Sequence, residues 1–87
     1  MRIEFDAPKD AANREKHGMS LEVGGTIVAN AVQTVMDARF DYGEDRFVAF
    51  GYLGPRLYVC VYTVRGDAVR IISVRKASDR EVSRFGR

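Results

Sequence analysis

The 87-residue chain holds one histidine, His17, inside the triplet Lys16-His17-Gly18. An imidazole titrates close to neutral pH, so it can take up or release a proton there, and the neighbouring lysine adds a charge that can hold an anion. The other side chains suited to chemistry are arginines. Residues 46–87 carry nine Lys/Arg, eight of them arginine, against three Asp/Glu, a net charge of +6. Residues 1–45 carry five against nine, a net of −4. The planar guanidinium offers a fork of donors that matches phosphate better than the point charge of lysine. Such an excess points to nucleic acid or an acidic partner, and a solvated arginine-rich surface is the plain alternative. Cys60 is the single cysteine and lies in an apolar run. Neither a disulfide framework nor a metal cluster of Cys and His is therefore expected, and no cofactor.

These residues must be positioned by a small fold. Eighty-seven residues make one domain, 1–87, whose core is thin enough to gain from a partner. Hydrophobic residues at 46% and charged residues at 30% are globular proportions. The N-terminus is charged from Arg2 onward, unlike a signal peptide, and the longest apolar run, 57–64, is too short to span a membrane. A reducing, cytoplasmic setting is expected. Residues 2–5 read as a strand. Pro8 suits the first turn of a helix over 8–17 and Gly18 suits its stop, which places Lys16 and His17 in the last turn, where the helix dipole favours cations. Ser20 can cap a second helix over 21–30, weakened by Gly24 and Gly25 unless these let another backbone approach. Strands follow at 32–37, 46–53, 56–65 and 69–75, separated by turns at 41–45, Gly54-Pro55 and Gly66-Asp67. Ser78-Asp79-Arg80-Glu81 is a capping box opening a short terminal helix.

Strand parity then sorts the arginines. A two-residue loop at Gly54-Pro55 pairs Leu53 with Arg56 and sets Arg46 opposite Thr63, so Arg46, Val48 and Phe50 share a face with Leu57, Val59, Val61, Thr63 and Arg65. The N-terminal helices are the expected cover for that face, with Arg46 and Arg65 together at its margin. For the next hairpin, a three-residue loop, Gly66-Asp67-Ala68, gives the more apolar inner face. It brings Ser73 and Arg75 to the same side, whereas a two-residue loop would bring Arg70, Ile72 and Val74. Arg75 then pairs near Val59, roughly 20 Å from Arg65, a separation that one phosphate cannot bridge but an RNA strand can. The opposite face, with Phe47, Tyr58, Cys60, Tyr62, Val64 and Ile72, is too apolar to stay wet and calls for the terminal helix or a partner.

Taken together, the stretches Phe5-Asp6 with Pro8-Lys9, Asn13 with Lys16 to Leu21, Glu44 to Phe47 leading to Gly51, Leu57 to Gly66, and Arg70 to Ala77 with Glu81 resemble the BrnT family. This is the toxin half of a bacterial type II toxin–antitoxin pair. The chain departs from the family pattern in having no tryptophan after Phe5-Asp6, in Gly24-Gly25 and in Val74. The resemblance implies an α+β, RelE-like fold, with N-terminal helices on a small antiparallel sheet. It implies an endoribonuclease that inhibits translation, and a cognate BrnA-type antitoxin whose ribbon-helix-helix part binds promoter DNA.

Metal-independent RNA cleavage uses the ribose 2′-OH as nucleophile and needs a base, an acid and cations around the phosphate. Arg65, Arg46, Arg75 and His17 are the expected catalytic set. Lys16, Lys76, Arg70 and Tyr62 are the expected RNA contacts, Tyr62 as a stacking ring. Structural roles stand beside these. Lys16 and His17 would stabilise a helix end, Arg46 and Arg65 would pair with Asp67, Glu44 or Asp45, and Tyr58 and Tyr62 would pack. A non-catalytic binding module, or an inactivated toxin kept as a repressor subunit, is the alternative to an enzyme.

Overall fold

The computed structural model describes residues 1–86. The chain runs β1 (Arg2–Glu4), α1 (Ala7–His17), a 3-10 turn (Leu21–Val23), α2 (Gly24–Ala29), β2 (Ala31–Asp37), β3 (Arg46–Leu53), β4 (Arg56–Arg65), β5 (Ala68–Lys76) and α3 (Asp79–Phe85). The five strands form one sheet in the order β1-β5-β4-β3-β2. β2 to β5 are an antiparallel meander, but β1 lies parallel to β5, pairing Ile3 with Val69. The sheet is thus mixed, not purely antiparallel as expected. No hairpin ties β1 to β5, so nothing local sets its direction.

Local signals account for the helix ends. Asp6 caps α1 by accepting from the Lys9 N–H, Pro8 sits in the first turn, and Gly18 closes the helix at φ 71°, donating to the Arg14 carbonyl. The Asp10 carboxylate joins α1 to the following turn, accepting from the Leu21 N–H at 2.7 Å and the Ser20 hydroxyl at 2.9 Å. These bonds, the Leu21 N–H first, hold its carboxyl below the usual range. The helix expected over 21–30 is split in two at the glycines. Gly24 and Gly25 do serve close approach, but to side chains: a Cβ on Gly24 would strike Ile71 and one on Gly25 would touch Ile3. At the C-terminus the capping box forms as expected, with Ser78 and Glu81 exchanging side-chain-to-backbone bonds.

The hairpin at Gly54-Pro55 has the expected register, Leu53 opposite Arg56. The next hairpin does not: Arg65 pairs with Ala68 across the two residues Gly66-Asp67, with Gly66 at φ 59°. A bulge then intervenes. Tyr62 pairs with Ile71 and Val61 with Ser73, leaving Ile72 as the extra residue. The bulge reverses parity, so Arg75 still lies opposite Val59, as the three-residue loop would have placed it, while Arg70 now lies opposite Thr63. All of Arg46, Arg65, Arg70 and Arg75 consequently share one face.

The helices cover the other one, contrary to expectation. Leu21 and Ile27 form a buried cluster with Cys60, Ile71 and Val74, against which Tyr58, Tyr62 and Leu53 pack. The arginine face is covered only in part, by α3 and the Phe50, Leu57 and Val59 cluster that Phe85 completes, with Phe85 stacked on Phe50 at 4.1 Å. The reason is volume. Ala49, Gly51 and Cys60 make a shallow trough, and Gly51 lets the backbone carbonyl of Ile27 settle against the sheet. Phe50, Leu57 and Val59 fill the opposite side themselves. α3 follows β5 after only Ala77 and Ser78, so it folds onto the nearer surface.

Asn13 ties α1 to this sheet. Beyond the end of β1 the outer edge of β5 would be bare, and the buried Asn13 amide takes the place of a strand. It accepts from the Val74 N–H at 3.1 Å and donates to the Val74 carbonyl at 2.9 Å and to the Met19 carbonyl at 2.9 Å.

Candidate functional site

The half-open face carries a groove of about 450 Å³ between β2 and α3, lined among others by Val35, Arg39, Val48, Val61, Ser73, Arg75 and Glu81. Every arginine that parity brought to this face has a carboxylate mate. Arg75 holds Glu81 with two bonds, 2.7 and 3.0 Å. This guanidinium is the main cause that pulls the Glu81 carboxyl down to about 2, against the opposing effect of burial. Arg70 reaches Glu4 of β1 at 3.5 Å. Arg46 and Arg65 both face Glu44, at 3.7 and 3.4 Å, one on each carboxylate oxygen.

These separations are long for ion pairs, and Arg46 keeps a buried Nε that has no hydrogen-bond partner. Its guanidinium lies 4.0 Å from the centre of the Tyr42 ring, a cation–π stack. The Tyr42 hydroxyl donates to Asp37, whose buried carboxylate also accepts two bonds of 2.9 Å from the Arg39 side chain. The Arg39 guanidinium is the largest of the causes that hold the Asp37 carboxyl far below the ordinary range. Arg65, Glu44, Arg46, Tyr42, Asp37 and Arg39 are thus one connected network. Arg39 and Arg75 line the same groove and lie near enough for their charges to repel. Arg39, Arg46, Arg65, Arg70 and Arg75 therefore line the face, opposed by the carboxylates of Glu4, Asp37, Glu44 and Glu81, and Arg39 shares the groove with Arg75.

The remaining candidates lie elsewhere. Lys16 and His17 end α1, the helix that Asn13 ties to the outer edge of β5. Tyr62 packs into the helix-covered core and stacks on Phe47 at 5.4 Å, and burial raises its hydroxyl pKa. Lys76 pairs with Tyr58 and so points to that side as well. The structure brings together Arg46, Arg65, Arg70 and Arg75 but not His17, Lys16, Lys76 or Tyr62. Sequence reading passed over Arg39, Tyr42 and Asp37. The available signal was the alternation Arg39-Phe40-Asp41-Tyr42, charged and aromatic residues interleaved in a loop. Among the described residues, no three His, Cys, Asp or Glu side chains gather in a set that could hold a metal ion.

The sequence profile described as "Ribonuclease toxin, BrnT, of type II toxin-antitoxin system" matches residues 5–81. The chain belongs to the BrnT family. The match covers both the arginine face and the helices behind it, including Arg39, Glu44, Arg46, Arg65, Arg75 and Glu81. Membership in this ribonuclease toxin family implies an RNA target and an antitoxin protein as partner. No individual curated relative matches the sequence. Among the described residues, no helix is long and apolar enough to cross a membrane.

Proposed function

We propose that this BrnT-family chain cuts RNA without a metal, on the half-open face, by attack of a ribose 2′-oxygen on the adjacent phosphorus. The observation that carries the reading is Glu44 held between Arg46 and Arg65. In the proposal the two guanidiniums take the non-bridging phosphate oxygens and stabilise the charge that builds there. Glu44, released as phosphate competes for its partners, accepts the 2′-OH proton. The 5′-oxygen leaves with a proton from water in the open groove, giving a 2′,3′-cyclic phosphate. Arg39, Arg70 and Arg75 hold phosphates to either side. His17 and Lys16 keep a structural role at the end of α1, where cations favour the helix dipole.

In the same proposal the fold is RelE-like, and the target is RNA needed for translation in the cytoplasm. A BrnA-type ribbon-helix-helix antitoxin neutralises the chain, and the complex binds promoter DNA. The test is cleavage of an RNA oligonucleotide by the purified chain in EDTA. Arg65→Ala and Glu44→Gln are expected to lose activity by roughly 10²-fold or more, while His17→Ala retains it. Loss of cleavage in EDTA, or full activity in Glu44→Gln and Arg65→Ala, would reject the mechanism. One observation favours a second reading, a non-catalytic module that acts as a repressor subunit: the fork of Arg75 is already filled by Glu81. That reading predicts no growth arrest when the chain is expressed without antitoxin.

A further inference from the structure

The β2–β3 connection, residues 38–45, is long for a hairpin loop and is built around Asp37. The Asp37 carboxylate accepts from the Arg39 backbone N–H as well as its side chain, and from Tyr42. Asp41 then accepts from the N–H of Gly43, which turns the chain at φ 72°. So organised, the loop presents one large apolar side chain outward. Phe40 is 68% exposed, with a T-shaped contact to Tyr42 at 5.8 Å and the Arg39 guanidinium 6.0 Å from its ring centre. Burial is the default for a phenylalanine, and these two contacts leave most of the ring in solvent.

We propose that this loop grips the RNA strand beside the scissile phosphate: Phe40 stacks on an unpaired base and Arg39 holds the adjoining phosphate. The inference rests on the reading that the half-open face binds RNA. Three features favour single-stranded nucleic acid as the occupant. The Arg39 side chain is 73% exposed, and Asp37 takes only its Nε and one terminal nitrogen. It shares the groove with Arg75, so a strand laid from Arg46 towards Arg75 passes over it. A ring beside a fixed guanidinium on an arginine-lined face is the arrangement that binds successive bases and phosphates of single strands. Stacking of this kind is tolerant of base identity, so the nucleotide at Phe40 carries little sequence preference.

The experiment uses the full chain and a fluorescent 2′-O-methyl RNA oligonucleotide, which cannot be cut, with binding followed by anisotropy. Phe40→Ala is expected to weaken binding by roughly 5- to 100-fold, the range for loss of one base–aromatic stack, and Phe40→Trp to restore it. Arg39→Ala is expected to weaken binding and to lower the salt dependence by about one phosphate contact. Thermal melting of each variant separates loss of binding from loss of fold. Wild-type affinity in well-folded Phe40→Ala overturns the inference. If that variant also escapes neutralisation by co-expressed antitoxin, the ring belongs to a protein interface. If the wild-type chain binds no oligonucleotide at all, the ribonuclease reading falls and this inference with it.

Discussion

Replacing Asn13 with alanine removes three hydrogen bonds at once, and two of them serve the backbone of Val74, a residue with no exposed surface. With the amide gone, the Val74 N–H and C=O are left unpaired in the core, since β1 pairs with β5 only at 68–70. Each buried backbone group left without a partner costs about 1–3 kcal/mol, and the partly buried Met19 carbonyl less because water can reach it. The expected loss is therefore about 2–6 kcal/mol. A domain of this size has a total stability on the order of 5–13 kcal/mol, so the variant forfeits a large share of it. In a thermal melt this corresponds to a fall of roughly 10–30 °C. Asn13→Leu fills the same space without satisfying either group and is expected to fare no better. Asn13→Asp keeps the acceptor for the Val74 N–H but sets a negative charge against two carbonyls, so its deficit shrinks when acid protonates the carboxylate. The assay is urea unfolding of the three variants beside the wild type. A loss under about 1 kcal/mol in Asn13→Ala at unchanged m-value would refute the idea that this amide substitutes for a strand.

Three further outcomes are expected. Gly51→Ala forces a Cβ against the Ile27 backbone carbonyl, which cannot swing away, so it destabilises by about 1–3 kcal/mol or more in a urea titration. The Glu81 carboxyl is held at about 2 against an ordinary value of 4.5. Because its folded-state pKa is lowered, its contribution is complete above pH 4.5 and disappears as pH falls towards 2. Melting temperature should therefore drop across that window, less steeply in Glu81→Gln; parallel wild-type and variant curves would contradict this. The Cys60 thiol is pushed up to about 12 by burial, so it should resist a thiol reagent at neutral pH in the native chain and react at once in denaturant.

The sequence by itself determined the order of the elements and most of their ends, though not the split of the helix expected over 21–30. Asp6, Pro8, Gly18, Ser20 and the Ser78–Glu81 box act within a few residues of themselves, and the Gly54-Pro55 loop sets the β3–β4 register because a two-residue turn leaves no slack. It also carried the family likeness, through stretches spread over most of the chain. The tertiary structure alone decided which face the helices cover. That choice depends on how the small Ala49, Gly51 and Cys60 fit Ile27, compared with the bulk of Phe50, Leu57 and Val59, a comparison across strands that no local pattern expresses. It decided the parity of β5 through one bulged residue, Ile72, which gathered Arg70 and Arg75 on the side of Arg46 and Arg65. It also tied α1, which ends at His17, to the outer edge of β5, two strands away from Arg46 on β3. The carboxylate partners of the arginines, and the place of Arg39 among them, follow from strand order, because ion pairs between residues as distant as Glu44 and Arg65 exist only once the sheet has formed.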